Sequence, residues 1–225
     1  GLHLNEDYGY PLWMKIIKEA LGYPVNTGDT FGYNASHYMP TAGWTYGAGT
    51  ATNTGDYEAV TYYNKLQYSS DIYLELDIKS TETYNADKYP KVGLILRNDK
   101  MTLFAYLDLE PALLSQGNVN IVYHGLTADG KGMADWSWGE TAGAVQTSKN
   151  CMQDFVRLGF GKLGNIVFVT IDGVKVLEWN ASGAAAEDEF VAGVLGFNSK
   201  IEVQNATGTN VTSEIQEIYN GTAAQ

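Results

Sequence analysis

The sequence predicts an all-β protein built as a sandwich of antiparallel strands, with one short helix near the N-terminus. Three observations support this prediction. Many short segments alternate apolar and polar residues or are rich in β-branched and aromatic residues, as strands are. Gly-rich turns separate these segments. Only one segment repeats its apolar residues with a helical period, so the chain is dominated by short strands, which is typical of a sandwich.

The first 50 residues contain the predicted helix. Pro11 stands where a first-turn proline is favoured, and Gly22 ends the run. Between them the apolar residues fall on one helical face: Leu12, Trp13, Ile16, Ile17, Ala20 and Leu21. We expect this helix to pack on the outside of the sandwich, with docking of a partner as the alternative. The segment 25–54 is dense in Gly, Asn, Thr, Ser and Pro, which predicts long loops with room for one edge strand.

Three consecutive segments predict the centre of the sandwich. Asp71–Lys79 alternates strictly between apolar and polar residues, so one face should lie in the core and the other in solvent. Val92–Arg97 is apolar on both faces, as a central strand is. Thr102–Glu110 alternates again. Weaker patterns predict the remaining strands: Val119–Tyr123, Phe155–Phe160, Val191–Phe197 paired with Ile201–Val203, and a closing strand Ser213–Tyr219. The Gly-, Ala- and Trp-rich segment from 124 to 153 predicts a long loop.

The clearest local signal is a β-hairpin. The β-branched runs Ile166–Ile171 and Val174–Trp179 are separated by Asp172 and Gly173 alone. Asp-Gly is favoured in two-residue hairpin turns because both positions take a positive φ. The sequence therefore predicts a tight turn between paired antiparallel strands.

Composition limits the function classes. Fourteen Lys and Arg against 26 Asp and Glu give a formal charge of −12, which disfavours nucleic acid and anionic membrane surfaces as partners. No apolar run approaches the roughly 20 residues that span a membrane. Cys151 is the only cysteine, so a disulfide framework and a Cys-based metal site are excluded, and we expect a small buried hydrophobe there. We expect a single domain over residues 1–225, with the sandwich core at 57–219.

The residue usage is that of secreted bacterial β-domains. The chain is rich in Tyr, Gly, Thr and Asn and poor in Lys and Arg. We therefore expect a bacterial protein that is secreted or held at the cell surface. The start at Gly1 lacks the basic and apolar regions of a signal peptide, and we expect the chain to be part of a larger multidomain protein.

A dinucleotide-type glycine pattern is present at Gly159–Gly164, which reads G-x-G-x-x-G. That motif requires a following helix, whose N-terminal amides bind the pyrophosphate. The next residues, Asn165–Val169, predict a strand instead. We interpret the glycines as part of a loop between strands and exclude a nucleotide site.

Metal ligands are sparse. His3, His37 and His124 are scattered, without a metal-binding neighbour at a useful spacing. Oxygen ligands for a structural Ca²⁺ could come from Asn53, Asp56 and Asp71, or from the acidic run 187–189. The alternative is ordinary loop acidity, and no cofactor is required.

The segment Glu75–Lys79 resembles the E-x-D-x-E strand of the family-16 glucanases. In those enzymes alternate carboxylates on one face act as nucleophile, helper and general acid/base. Glu75 and Asp77 match the first two positions, but Lys79 occupies the third. A lysine lacks the tuned proton that departure of the leaving group needs. The sequence therefore favours a protein without this activity.

The succession of strands resembles the concanavalin A-like lectin/glucanase superfamily, especially the laminin G-like and sugar-hydrolase-associated domains of bacterial exported proteins. The resemblance covers residues 57–219 and is carried by five short motifs: Glu75–Lys79, Gly93–Arg97, Val156–Leu158, Val169–Gly173 and Ala192–Gly196. It implies a two-sheet antiparallel jelly-roll sandwich. It also implies binding of a sugar or glycoconjugate, sometimes glycoside hydrolysis, and often a structural Ca²⁺.

A sugar site needs aromatic rings beside planar polar groups. The solvent face of the central strands offers six such residues: Tyr73, Glu75, Asp77, Arg97, Tyr106 and Asp108. An arginine in an apolar strand must meet a carboxylate or water. We expect Arg97 to pair with Glu75, Asp77 or Asp108, either as a structural pair or as part of a ligand site.

Trp136 and Trp138 lie two apart in the predicted long loop, so an extended chain places them on one side. They either anchor the loop to the sandwich or offer a stacking platform for a ligand.

These observations predict a non-catalytic module that binds carbohydrate or a cell-surface glycoconjugate. The first alternative is a glycoside hydrolase that uses Glu75 and Asp77, together with Asp108. The second is a protein-binding adhesion domain without sugar specificity.

Overall fold

Two seven-stranded antiparallel sheets form the body of the protein. The computed structural model describes residues 31–32, 44–47, 50–53, 58–63, 65–66, 68–83, 90–98, 101–109, 118–125, 141–181 and 188–222. The strands are β1 (Phe31–Gly32), β2 (Trp44–Gly47), β3 (Thr50–Asn53), β4 (Glu58–Tyr63), β5 (Ile72–Thr83), β6 (Lys91–Arg97), β7 (Met101–Asp108), β8 (Asn118–Gly125), β9 (Thr141–Gln146), β10 (Val156–Leu163), β11 (Ile166–Ile171), β12 (Val174–Asn180), β13 (Val191–Phe197) and β14 (Ser199–Thr209), and one helix, α1, is Thr212–Asn220. The predicted all-β, two-sheet antiparallel sandwich is confirmed.

The strand order places β5 and β6 near the centres of opposite sheets. The first sheet runs β1-β4-β13-β6-β7-β8-β9, and the second runs β12-β11-β10-β5-β14-β3-β2. In the second sheet β5 lies between β10 and β14, which pair with it in antiparallel register. This arrangement positions the charged side chains considered below.

The inner faces of the two sheets share one core. Leu74 and Leu76 of β5 pack in the same cluster as Leu94 and Leu96 of β6. Each fully buried leucine of this kind contributes roughly 1.5–3 kcal/mol relative to an exposed one. The inward side of β7 is the predicted one, since Leu103 and its alternate neighbours all belong to this core.

The two outer faces differ. On the first sheet a second apolar cluster, including Ile95 and Phe104, is buried on the outer side, so β6 is buried along its whole length, as its apolar sequence predicts. On the second sheet the outward residues of β5, such as Glu75 and Asp77, are only partly buried. The outer face of the second sheet is therefore where polar side chains reach solvent.

The Asp172-Gly173 hairpin is confirmed. Ile171 and Val174 are paired across the turn, and both turn residues have positive φ, 52° for Asp172 and 75° for Gly173. These are the values that a type I′ turn requires.

The interpretation of Gly159 and Gly161 as loop residues is wrong. Both lie inside β10, and only Gly164, with φ 54°, belongs to a turn. A Cβ on Gly159 would approach the Tyr73 hydroxyl to 2.1 Å, and one on Gly161 would approach Tyr73 Cδ2 to 2.7 Å. The glycines thus make room for the Tyr73 ring over β10. Strand β11 follows the turn, so the helix that a pyrophosphate site needs is not there.

The prediction of a closing strand at Ser213–Tyr219 is wrong, because this segment is helix α1. Ile215, Ile218 and Tyr219 recur at helical spacing and pack on Tyr73 and Phe168 of the second sheet. The helix ends at Gly221, whose φ of 70° is the left-handed value of a C-terminal cap.

The predicted pairing of Val191–Phe197 with Ile201–Val203 is also wrong. Strand β13 belongs to the first sheet and β14 to the second. The chain crosses between the sheets at Asn198, which has a φ of 49°. The two apolar runs face each other through the core instead of pairing by hydrogen bonds.

Some regular structure lies where the sequence predicts loops. Strand β9 falls inside the predicted loop 124–153, and β2 and β3 pair as a hairpin at the edge of the second sheet. The N-terminal helix predicted between Pro11 and Gly22 lies outside the described residues. Within the described ranges no helix is long and apolar enough to span a membrane.

We expect Cys151 to resist thiol reagents in the folded protein. Its side chain is buried, as predicted, and burial raises the pKa of the thiol to about 12, so little reactive thiolate forms at neutral pH. Labelling with a maleimide should be negligible in buffer and complete after unfolding in guanidinium chloride. Prompt stoichiometric labelling of the native protein would contradict this burial.

Candidate functional site

The predicted site residues lie on two sheets and do not form one site. Tyr73, Glu75 and Asp77 project from β5 of the second sheet, whereas Arg97, with Tyr106 and Asp108, projects from β6 and β7 of the first. The outer faces of two packed sheets point in opposite directions, so the two groups are on opposite sides of the sandwich. Trp136 and Trp138 lie outside the described residues.

The first-sheet group belongs to a buried polar network. Lys91 Nζ lies 3.0 Å from Asp108 Oδ1, and the two side chains are only 5% and 7% exposed. Asn120 Nδ2 donates to Asp108 Oδ2 at 2.9 Å, and the Lys91 ammonium lies 5.1 Å from the Tyr106 ring centre. Burial, with a smaller effect of Asp108, raises the pKa of the Tyr106 hydroxyl. This charge pair is matched inside the protein and is shielded from solvent.

The predicted pairing of Arg97 with Glu75, Asp77 or Asp108 is wrong. In the antiparallel register Arg97 is opposite Thr102 at one end of β6, whereas Asp108 is opposite Lys91 at the other end. The Arg97 guanidinium donates instead to the Tyr62 hydroxyl at 3.3 Å. Glu75 and Asp77 are on the other sheet.

Arg157 of β10 takes the role that the sequence assigns to Arg97. Its Nη2 lies 2.9 Å from Glu75 Oε2, and its Nη1 lies 3.4 Å from Asp77 Oδ1. The same two nitrogens donate to the Asn205 carbonyl oxygen at 2.6 Å and to Thr207 Oγ1 at 3.2 Å. We call these five residues, Glu75, Asp77, Arg157, Asn205 and Thr207, the Arg157 cluster.

A β-bulge shapes the cluster. The register of β14 against β5 shifts between Gln204 and Thr207, and Asn205 within the bulge has a φ of 53°. Asparagine is one of the few residues that tolerate this left-handed conformation. The bulge directs the Asn205 carbonyl oxygen to Arg157 and lets its Nδ2 donate to Asp77 Oδ2 at 2.7 Å. Bulges often re-aim side chains at functional sites.

The cluster is part of a larger polar surface. In register, Gln204 is beside Asp77 and Glu202 is beside Lys79, on the strand that flanks β5. On the other flank Phe155 precedes β10, with the Lys79 ammonium 5.9 Å from its ring centre. We call this surface the open face; its members are Glu75, Asp77, Lys79, Phe155, Arg157, Glu202, Gln204, Asn205 and Thr207.

The charged side chains of the open face are partly exposed to solvent. The side chains of Glu75, Asp77 and Arg157 are 16%, 20% and 26% exposed. Phe155 is 38% exposed, and it is the one aromatic side chain among the exposed large hydrophobic residues of the described part. An exposed ring beside charged and amide groups offers both an apolar surface and hydrogen-bonding partners.

Helix α1 closes one end of the open face. Ile215 and Tyr219 pack on Tyr73 and Phe168, the next outward residues along the sheet. The Tyr219 ring stands edge-on to Phe168 at 5.4 Å, and its hydroxyl donates to Glu178 Oε2 at 2.9 Å. Tyr73, predicted as an exposed ring for a ligand, is therefore buried.

The Tyr73 hydroxyl forms a hydrogen bond within the second sheet, beneath helix α1. It shares a hydrogen bond of 2.7 Å with Thr170 Oγ1. Burial, reinforced by the neighbouring Glu75 carboxylate, raises the pKa of this hydroxyl. Tyr73 thus supports the sheet beside the open face rather than offering a ring to solvent.

Two of the three calcium candidates have structural contacts. Asn53 is buried; its Nδ2 donates to the Ser199 carbonyl oxygen at 3.0 Å, and its Oδ1 accepts from the Ile201 N–H. Asp71 accepts from the Gly164 N–H at 2.8 Å and from Thr212 Oγ1 at 2.7 Å. Asp56 lies outside the described residues. In the described ranges no three His, Cys, Asp or Glu side chains are grouped as a metal site would need.

Six residues of the open face are not singled out as site residues by the sequence analysis: Phe155, Arg157, Glu202, Gln204, Asn205 and Thr207. Arg157 is flanked by Val156 and Leu158, so it shows the same alternation as the carboxylates of β5. That signal places a cation on an outer face, but the partner strand is not encoded locally. The register Arg157–Asp77 appears only in the folded sheet.

Solved structures with similar folds include a carbohydrate binding module and a carrageenase. Carbohydrate binding module CBM66 from Bacillus subtilis is 16% identical, with a TM-score of 0.54 over 75% of this chain and 91% of that chain. A kappa-carrageenase from Pseudoalteromonas carrageenovora is 10% identical, with a TM-score of 0.49 over 76% and 84%. A protein of unknown function with a galectin-like fold, also from Bacillus subtilis, is 12% identical, with a TM-score of 0.47 over 72% and 81%.

No protein-family model and no curated protein sequence matches the chain. At such low identities the structural similarity shows the fold alone. That fold is the concanavalin A-like jelly roll, which the strand motifs of the sequence imply. The narrower laminin G-like assignment stays a prediction.

We expect Arg157→Ala to lower the free energy of unfolding by about 1 kcal/mol. The loss is small because the ion pairs of Arg157 with Glu75 and Asp77 are partly exposed to solvent. The substitution leaves Glu75 and Asp77 side by side without their cation. Arg157→Lys should recover only part of the loss, because an ammonium lacks the planar fork. Urea unfolding measures both variants, with Lys175→Ala as a control, since that lysine forms an ion pair with Glu178 within the edge strand β12 of the same sheet.

A double-mutant cycle separates the ion pair from packing. Arg157→Ala combined with Glu75→Gln should destabilise less than the sum of the single variants, because each removes the same contact. Additive effects would mean that the pair carries no coupling energy.

Proposed function

We propose that this protein, a concanavalin A-like jelly roll, is a non-catalytic carbohydrate-binding module, and that the open face of its second sheet is the binding surface. We further propose that it acts in a bacterial protein that is secreted or displayed at the cell surface. The residue usage of the chain supports this location.

The observation that carries the proposal is the position of Phe155. Its exposed ring lies beside Lys79 and on the same outer face as Arg157 and Asp77. Pyranose rings present C–H patches that stack on aromatic rings and hydroxyls that need polar partners close by. A surface that combines one exposed ring with several fixed carboxylate, amide and hydroxyl groups suits such a ligand.

The structural comparison supports the same class of ligand. CBM66, a carbohydrate binding module, has a similar fold with a TM-score of 0.54. Its fold matches over most of its own length. Fold by itself does not determine function, so the chemistry of the open face has to support the inference.

The contacts of Glu75 and Asp77 oppose a hydrolase. A retaining glycosidase needs one carboxylate as nucleophile and a second, protonated one as general acid. Here both carboxylates contact the same guanidinium, so neither is set apart in an environment of its own. Lys79 occupies the third position of the strand and contacts the Phe155 ring. The glycoside hydrolase alternative therefore lacks the third carboxylate of the motif on β5.

Phe155→Ala should weaken glycan binding by about 5- to 30-fold, or about 1–2 kcal/mol, because the stacking surface is removed. Val211→Ala is the matched control: Val211 is an exposed apolar residue, 48% exposed, and it lies just before helix α1, beyond the Tyr73 end of β5, whereas Phe155 lies near the Ile78 end. A glycan array identifies a ligand, and calorimetry compares the variants with and without Ca²⁺. Equal affinity for Phe155→Ala and wild type would rule out the open face, and binding of proteins but of no glycan would favour the adhesion alternative.

We expect no hydrolysis of β-glucans or of any glycan that binds. The measurement is release of reducing ends over a day at several pH values. Sugar release that is abolished by Glu75→Gln, with folding intact, would show that the protein is an enzyme.

A further inference from the structure

We propose that the glycan bound by the open face is uncharged, and that the face selects against sulfated, uronic-acid and other anionic glycans. The inference rests on the proposed function and adds the class of ligand.

The first argument is that the guanidinium of Arg157 is already occupied by acceptors of the protein itself. Arginine is the usual residue for binding an anionic group, through its planar fork of N–H donors. Both terminal nitrogens of Arg157 already contact two acceptors each, one carboxylate and one protein oxygen. An incoming sulfate or carboxylate would have to displace Glu75 or Asp77 from this arginine.

The second argument is that the carboxylates of Glu75 and Asp77 have more acceptor positions than the protein uses. An ionised carboxylate has about four acceptor positions. Asp77 accepts from Arg157 and Asn205, and Glu75 accepts from Arg157 and has the Tyr73 hydroxyl as a second hydrogen-bonding neighbour, so each carboxylate uses about half of its positions. Sugar hydroxyls are donors as well as acceptors, and their bonds to a carboxylate are short and strong. The open face therefore offers hydrogen-bond acceptors, which the hydroxyl groups of a neutral sugar can use and an anionic group cannot.

The third argument is the charge of the surface. Glu75, Asp77 and Glu202 stand against Lys79 and Arg157, so three negative and two positive charges leave a formal −1. The second cation of the face, Lys79, is beside Glu202 in register and over the Phe155 ring. The whole chain carries −12, so the long-range field also repels anions. Like-charge contacts are an effective way to reject a wrong ligand.

The test compares glycans that share a backbone and differ in charge. The pairs are cello-oligosaccharides with their carboxymethyl derivatives, desulfated carrageenan oligosaccharides with the sulfated originals, and chitin with chitosan oligosaccharides. Calorimetry is run on the wild-type protein at about 0.02 M and about 0.5 M NaCl, on either side of the concentration where the screening length is about 10 Å.

We expect a neutral member to bind with an affinity that changes less than about twofold between the two salt concentrations, since no net charge is brought together. Its anionic counterpart should bind at least about tenfold more weakly at low salt. The difference in affinity between the two should become smaller at high salt, because salt screens the repulsion. An anionic glycan that binds more tightly and loses affinity with salt would overturn the inference. A salt-sensitive preference for chitosan over chitin would do the same.

A charge-altered variant tests the mechanism. Glu75→Gln with Asp77→Asn releases Arg157 and changes the formal charge of the face by +2, so affinity for the anionic member of a pair should rise by about tenfold at low salt. The control, Glu189→Gln with Glu217→Gln, makes the same change at exposed positions away from the open face. If the control variant gained the same affinity for the anionic glycan, the selection would come from the net charge of the protein. That result would overturn the role of the open face.

The outcomes separate the two proposals. If wild type binds no glycan of any charge, the proposed function fails. If it binds an anionic glycan and Phe155→Ala abolishes that binding, the function stands and the class of ligand is wrong.

Discussion

The alternation of β5 is the constraint on which the rest of the molecule depends. Leu74, Leu76 and Ile78 enter the core from one side of the strand, while Glu75 and Asp77 project from the other. A slip of one residue would bury the charges and expose the leucines, so the pairing of β5 with both neighbours is strongly specified. The positions of Arg157 on one flank and of the Asn205 bulge on the other follow from that register.

The protein uses ion pairs differently on its two outer faces. Lys91 and Asp108 are almost fully buried on the first sheet, where Asn120 completes their hydrogen bonding. Removing either partner would leave an uncompensated buried charge, which is costly. The pairs of Arg157 are partly exposed and add only modest stability. Their main consequence is that the carboxylates of Glu75 and Asp77 are held in place and that the guanidinium of the open face is occupied.

This arrangement accounts for how a strand that resembles a catalytic one can belong to a binding surface. In the glucanase pattern the carboxylates need different protonation states, which requires environments that separate their pKa values. Here a single arginine contacts Glu75 and Asp77, and Lys79 stands where a third carboxylate would be. Helix α1 closes the end of the face over Tyr73 and Phe168, so a ligand meets Phe155 and the Arg157 cluster.

The sequence by itself determined the elements whose cause is local. The Asp172-Gly173 turn follows from backbone preferences of two residues, and the faces of β5, β6 and β7 follow from alternation within each strand. Only the tertiary structure decided which strands share a sheet: it separated β13 from β14, made Ser213–Tyr219 a helix packed on Phe168, and gave Glu75 and Asp77 to Arg157 instead of Arg97. The physical reason is that a period of two tells which way a side chain points, whereas its partner is set by hydrogen-bond register between strands that are far apart in sequence, 80 residues for Arg157 and Asp77 and 128 for Asn205 and Asp77.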